Sequence, residues 1–166
     1  GMAYHPKRSQ QRRDRMMLMS LIVMTGLMAG IYFAFSVFVM QSLAQLPAHE
    51  GTRAMNAIND VIVKTAFLPL FFISSIAHLG LVILALVIEI EHAVLLGSAG
   101  AVYVLGMFFT TLVGNVPLNN RLAKYTEASE KQTDVWNDYL QRWVRLNHIR
   151  TISCTVSMVL MLVAMA

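Results

Sequence analysis

The chain has 166 residues, of which 57% are hydrophobic and only 13% charged, with a formal net charge of +4. Soluble domains carry about a quarter charged residues, so a water-soluble fold of this size has too little interior to hide the apolar surface, and a single domain dissolved in a bilayer is the reading left. The basic balance does not imply nucleic acid. Five of the thirteen Lys and Arg residues lie between Lys7 and Arg15, directly before an apolar run, and most of the others fall in residues 121–150. A basic tail against an apolar run is a topology signal.

The opening Gly1-Met2 reads as a remnant of tag removal before a native start, and the basic tail occupies residues 1–15. The tail resembles the n-region of a signal peptide, but the apolar run after it is too long for a signal h-region of 7–15 residues. The first span is predicted at about 16–40, which carries no charge; a helix needs ~20 residues to cross the hydrocarbon. Gly26, Gly30 and Ala34 give it a small-residue face. The helix is expected to continue to about Leu46 and stop before Pro47. Met55, Ile58, Ile62 and Val63 then recur at helical spacing, with Arg53, Asn56 and Asp60 between them. This predicts an amphipathic helix feeding a second span at about 65–88, with a kink expected at Pro69.

A short turn, Glu89-Ile90-Glu91-His92, leads to the third span at about 93–113, with small surfaces at Gly97, Gly100, Ala101 and Gly106. Asn115 is expected to close that span and Pro117 to break it. Ser129 with Gln132 three residues later fits a capping box. No breaker follows, so one helix is expected from about 130 to 165, with only about 149–166 apolar enough to lie in the membrane. Four spans predict an all-α integral membrane protein: a single four-helix transmembrane domain, residues 16–166, protruding from the membrane on the side opposite both termini. The basic tail places both termini in the cytoplasm of a bacterial inner membrane. The six basic residues of 114–150 oppose that orientation, although four acids accompany them.

The fourth helix carries the most information. At 100° per residue, Trp136, Tyr139, Leu140, Trp143, Asn147 and Arg150 share one stripe, and Asp138, Arg142 and Arg145 fall opposite. Arg150 thus sits at the membrane boundary, pointing into the bundle as a functional candidate or snorkelling to the interface as an anchor. Trp136 and Trp143 fit a binding wall, an interfacial belt or plain core. Asn115 and Asn119 either satisfy backbone groups at the break or point into a pocket shared with Arg150, Asn147 and Asn59. Chain tracing puts all of these at one end of the bundle. The histidines make no metal or haem case: His78 lies mid-span, His92 at the terminus side and His148 at the opposite end, about 120° from Trp136 and off the stripe. No metal motif, phosphate loop, dinucleotide fingerprint or nucleophile elbow is visible, so no metal and no cofactor are expected.

Four segments together resemble a known family: Ala29-Gly30-Ile31-Tyr32-Phe33-Ala34-Phe35-Ser36, Ala54-Met55-Asn56-Ala57-Ile58-Asn59, Gly114-Asn115-Val116-Pro117-Leu118-Asn119, and Trp143 with Asn147-His148-Ile149-Arg150-Thr151. They are similar to the anthrone-oxygenase-like membrane proteins, over roughly residues 16–165, and this chain looks like the bacterial branch, mostly catalogued as a domain of unknown function. Fungal members are associated with oxidation of anthrones to anthraquinones without a known metal or flavin. That resemblance implies a site that binds a flat phenolic tricycle and stabilises an enolate-like oxyanion. Trp136, Trp143 and Tyr139 would then line the aromatic plane with Asn59, and Arg150, Asn115, Asn119 and Asn147 would donate to the oxyanion. His148 is the only nearby candidate base.

The expectation is therefore an integral membrane protein that binds or oxidises a small hydrophobic aromatic molecule at one end of the bundle, by cofactor-free anthrone-oxygenase-like chemistry. The alternative is a non-enzymatic membrane binding, transport-accessory or assembly protein. Its expected partners are membrane lipid and such a ligand, not nucleic acid, and the small-residue faces permit a homo-oligomer.

Overall fold

The computed structural model describes residues 6–166, so Gly1, Met2 and the first part of the tail lie outside it. Five helices follow in order: α1 Lys7–Leu43, α2 Ala48–Ile62, α3 Phe67–Val87, α4 Ala93–Leu122 and α5 Glu130–Met165. There is no strand among the described residues. Helices α1, α3, α4 and α5 are each long and apolar enough to cross a membrane. Their outward faces carry exposed Val23, Leu27, Ile76, Leu86, Leu105 and Ile152. An aqueous surface does not sustain so continuous an apolar coat, whereas lipid does.

Helix α5 packs along both α1 and α4, and α3 forms a hairpin with α4. The hairpin turn is closed by His92 in the left-handed region, φ 57°. Close helix approach rests on two glycines of α4: a Cβ at Gly100 would overlap the His78 carbonyl, and one at Gly106 would overlap the Ser153 side chain. Among the buried polar groups, His78 places Nε2 2.9 Å from Thr25 Oγ1 and stacks on Tyr103, centroids 3.9 Å apart. It is held within the bundle, as a mid-span histidine with no charged neighbour should be.

At the end away from the termini, α2 lies across the start of α5. Gly51 is the contact point: a Cβ there would come 2.6 Å from Trp136 Cζ2 and 3.1 Å from the Leu43 carbonyl oxygen. Gln132 Nε2 donates to the Ala48 carbonyl at 3.1 Å and to the Thr52 hydroxyl. This alters the expected capping box. Ser129 Oγ does accept from the Gln132 amide at 3.1 Å, but the Gln132 side chain is committed to α2 and does not return to the cap.

Other boundaries also differ from expectation. The basic residues from Lys7 to Arg15 form the first turns of α1. That helix ends at Leu43 rather than Leu46, and Pro47, with ψ 144°, is the extended N-cap of α2. A turn at 63–66 separates α2 from α3, and Pro69 lies in the first turn of α3, where a missing amide costs nothing. Pro117 does not break α4. A π-helical turn at Thr111–Asn115 precedes it, so the proline opens a fresh α-helical segment, Val116–Leu122, at a position that needs no amide donor.

Candidate functional site

Three π-helical turns interrupt the ladders of the long helices: Phe35–Val39 in α1, and Val104–Phe109 and Thr111–Asn115 in α4. Such turns concentrate at functional sites because they re-aim side chains out of α register. Here the first and third face the same stretch of α5, where Arg150 is 5% exposed. Arg150 Nη2 donates to Asn147 Oδ1 at 2.9 Å, and Nη1 donates to Thr111 Oγ1 at 3.2 Å. The guanidinium carbon lies 4.4 Å from the Tyr32 ring centroid and 5.0 Å from that of Trp143. No carboxylate pairs with it among the described residues, and its Nε has no partner. Burying a cation costs several kcal/mol unless it is compensated. Two aromatic faces return about 2 kcal/mol in a desolvated setting, which leaves part of that cost uncompensated.

Asparagines build the surroundings. Asn147 Nδ2 donates to the Tyr32 carbonyl and to Ser36 Oγ, both at 2.8 Å, which fixes its Oδ1 toward Arg150. Asn119 Oδ1 accepts from the Tyr139 hydroxyl at 2.8 Å and from Trp143 Nε1 at 3.0 Å. Asn115 Nδ2 donates to the Trp143 carbonyl at 3.3 Å, and its buried Oδ1 has no partner. Asn59, reaching in from α2 beside the Tyr139 hydroxyl, has a buried Nδ2 without a partner at hydrogen-bond geometry. Orphaned donors of this kind are rare in a finished interior and call for a ligand or water.

Arg150 and Asn59 both line a cavity of about 240 Å³. Its other walls are almost wholly apolar or aromatic and include Tyr32, Phe35, Phe67, Phe71 and Trp143, with Thr111 and Asn119 as the remaining polar contributors. An engineered apolar cavity of ~150 Å³ accepts benzene, so this one holds more than a single ring. An aromatic box with a few convergent polar groups is the usual form of a small-molecule site.

The structure sorts the nine residues singled out from sequence into three sets. Arg150, Trp143, Asn119 and Asn59 line the cavity. Asn147, Asn115 and Tyr139 lie behind them and hold them, through the bonds given above. Trp136 and His148 are elsewhere. Trp136 is stacked on Tyr139 at 5.8 Å and sealed under Gly51, so it is core rather than a binding wall. His148 is exposed on the other side of α5, its Nδ1 2.9 Å from Ser36 Oγ, in a separate hollow with Met40 and Val144. It does not face the cavity, as its angle on the helical wheel required. Thr111, Phe35, Phe67 and Phe71 complete the site, and nothing in an apolar span distinguishes them from lipid-facing neighbours. No group of three or more His, Cys, Asp or Glu side chains comes together among the described residues.

The family model described as anthrone oxygenase matches residues 60–160, which takes in α3, α4, most of α5 and the end of α2. No curated protein and no solved structure matches the chain.

Proposed function

This chain belongs to the anthrone oxygenase family, and on that premise we propose that it binds a flat aromatic molecule bearing a carbonyl or phenolic oxygen beside Arg150 and oxidises it with O₂, without a cofactor. The observation that carries the proposal is the buried, carboxylate-free guanidinium with an unpartnered Nε at the wall of an aromatic cavity. Such a group stabilises an oxyanion far better than water does, because its donors are already oriented in a low dielectric.

Among the described residues the cavity walls carry neither a carboxylate nor an imidazole, so on this reading the proton has no acceptor of either kind in the wall. It leaves from the ligand's own oxygen to water. An anthrone tautomerises to a phenol, the phenol ionises, and Arg150 holds the anion. The electron-rich ring carbon opposite that oxygen then takes up O₂ to form a hydroperoxide, which loses water to give the second carbonyl. One CH₂ and one O₂ become one C=O and one H₂O, with O₂ as the sole oxidant. The missing base also supports a second reading, in which the cavity binds such a molecule without turning it over.

Thermal stabilisation of the detergent-purified protein by anthrone and 9,10-anthraquinone, together with oxygen uptake, separates these. Stabilisation with uptake of one O₂ per anthrone supports the oxygenase. Stabilisation without uptake leaves binding alone, and no stabilisation overturns both. The basic stretch from Lys7 to Arg15 supports placing both termini in the cytoplasm of a bacterial inner membrane, which a C-terminal reporter active only in that compartment tests.

A further inference from the structure

The α3–α4 hairpin is tight along most of its length. Starting from its turn, Gly97 meets Ala85, Gly100 meets His78 and Val82, Ser74 Oγ lies 2.6 Å from the Tyr103 hydroxyl, and Phe71 stacks on Phe108 at 5.5 Å. Beyond that ring pair, no hydrogen bond or ring contact joins the two helices among the described residues, although both continue. The cavity lies in this gap. Its rim runs from Phe72, beside that ring pair on α3, and Val63, in the turn before α3, to Leu112 and Val116 on α4, and all four are exposed: 49% at Val63, 45% at Phe72, 43% at Leu112 and 37% at Val116.

Depth decides what this rim faces. At 1.5 Å per residue, Phe72 lies ~23 Å along α3 from the hairpin turn and Leu112 ~29 Å along α4. Arg150 lies ~23 Å along α5 from its C-terminal end. With hydrocarbon ~30 Å thick starting at the turn, Phe72 and Leu112 open sideways into the outer part of the acyl layer with the guanidinium at a similar depth, while Val116, ~35 Å along α4, and Val63, beyond the start of α3, carry the rim up to the interface. The rim carries no charge and no hydrogen-bonding side chain. The rim offers water no hydrogen bond, whereas an aromatic molecule dissolved in lipid leaves one apolar medium for another and meets polar groups, among them Arg150 Nε and Asn59 Nδ2, inside.

We propose that the cavity is loaded from the bilayer through the gap between α3 and α4, so that its ligand is a membrane-dissolved aromatic with its oxygen near the interface, rather than a water-borne one. This rests on the binding function proposed above. The test uses 9,10-anthraquinone as the probe in proteoliposomes. Quinones quench tryptophan, and Trp143, one of two tryptophans in the chain, lines the cavity, with a Trp143→Phe variant assigning the signal. Stopped-flow quenching gives the association rate, and titration gives the equilibrium affinity.

The lateral route predicts that Leu112→Phe with Val116→Phe, which narrows the rim without touching the polar groups, slows association at least tenfold and changes affinity less than twofold. It also predicts that, at one fixed aqueous probe concentration, loading speeds up in proportion to the probe held in the bilayer when the lipid composition is changed to raise its partition coefficient. Loading that follows the aqueous probe concentration, or a narrowed rim that leaves the rate unchanged, overturns the route while leaving the site intact. Absence of quenching in the parent protein overturns the site and the route together. Should the double variant not fold, the lipid-composition series decides alone.

Discussion

Arg150→Met is the most informative single change. Methionine matches the length of the arginine stem, so the cavity penalty of an alanine, 2–5 kcal/mol, is avoided. The substitution removes the desolvation cost of a buried cation, several kcal/mol. It forfeits two cation–π contacts, of about 2 kcal/mol in a desolvated site, partly replaced by sulfur–aromatic contacts with Tyr32 and Trp143 of roughly 0.3–1.5 kcal/mol. It also strands Asn147 Oδ1, whose donor at 2.9 Å is gone, at about 1–3 kcal/mol. These terms nearly cancel, so SDS titration is expected to place the variant within about 2 kcal/mol of the parent. Ligand affinity does not cancel. Losing a charge-assisted bond to an oxyanion costs about 1.5–3 kcal/mol, or roughly 10- to 150-fold in Kd for anthrone at a pH where it ionises. A stability loss above about 4 kcal/mol with unchanged affinity would refute the reasoning, because the guanidinium would then be a structural pin rather than a ligand contact.

Anthrone affinity should rise about tenfold per pH unit below the phenolic pKa of the ligand and level off above it, since Arg150 favours the ionised form; titration series for the parent and His148→Ala are expected to superimpose, the imidazole lying outside the cavity. Gly51→Ala drives a Cβ to 2.6 Å from the Trp136 ring, and the overpacking should cost about 1–3 kcal/mol, read as a lower Tm together with proteolytic exposure of α2. His78→Phe keeps the stack on Tyr103 and loses the bond to Thr25, which retains the Leu21 carbonyl as acceptor at 2.7 Å. A loss of about 0.6 kcal/mol, the average for such bonds in membrane helices, and unaltered ligand binding are expected from melting and titration.

The legibility of this site in the sequence followed the regularity of the helices. Helix α5 runs unbroken for 36 residues, so 100° per residue carried from Trp136 to Arg150 put Trp136, Tyr139, Trp143, Asn147 and Arg150 on the buried face, with Leu140 half-buried at its edge. The same wheel puts His148 about 120° from Trp136, and the structure finds it outside the cavity lining, in the separate hollow. In α4 the method fails, because two π-helical turns between Val104 and Asn115 shift the register. A wheel started in the first half of α4 therefore does not bring Thr111 to Arg150, and Pro117 looked like a break when it sits just beyond a re-phased ladder. The phenylalanines of the cavity were invisible for another reason: in a span whose outer face is as apolar as its inner one, hydrophobicity does not mark the side that faces the bundle.

The π-helical turns also set how the chain tolerates changes in its length. A π-turn is an α-helix carrying one residue more than its ladder needs, and removing that residue restores regular winding. Deleting one residue near Thr110 would thus leave α4 more regular, yet turn everything after it by about 100°, carrying Asn115 and Asn119 away from Trp143. The loss would fall on the cavity rather than on the spans. Single-residue deletions here should yield membrane-inserted protein with an empty-handed Arg150, whereas a deletion compensated by a nearby insertion should restore the site. The surplus residues of α4 act as a phase setting between the membrane half of the helix and the half that carries the asparagines.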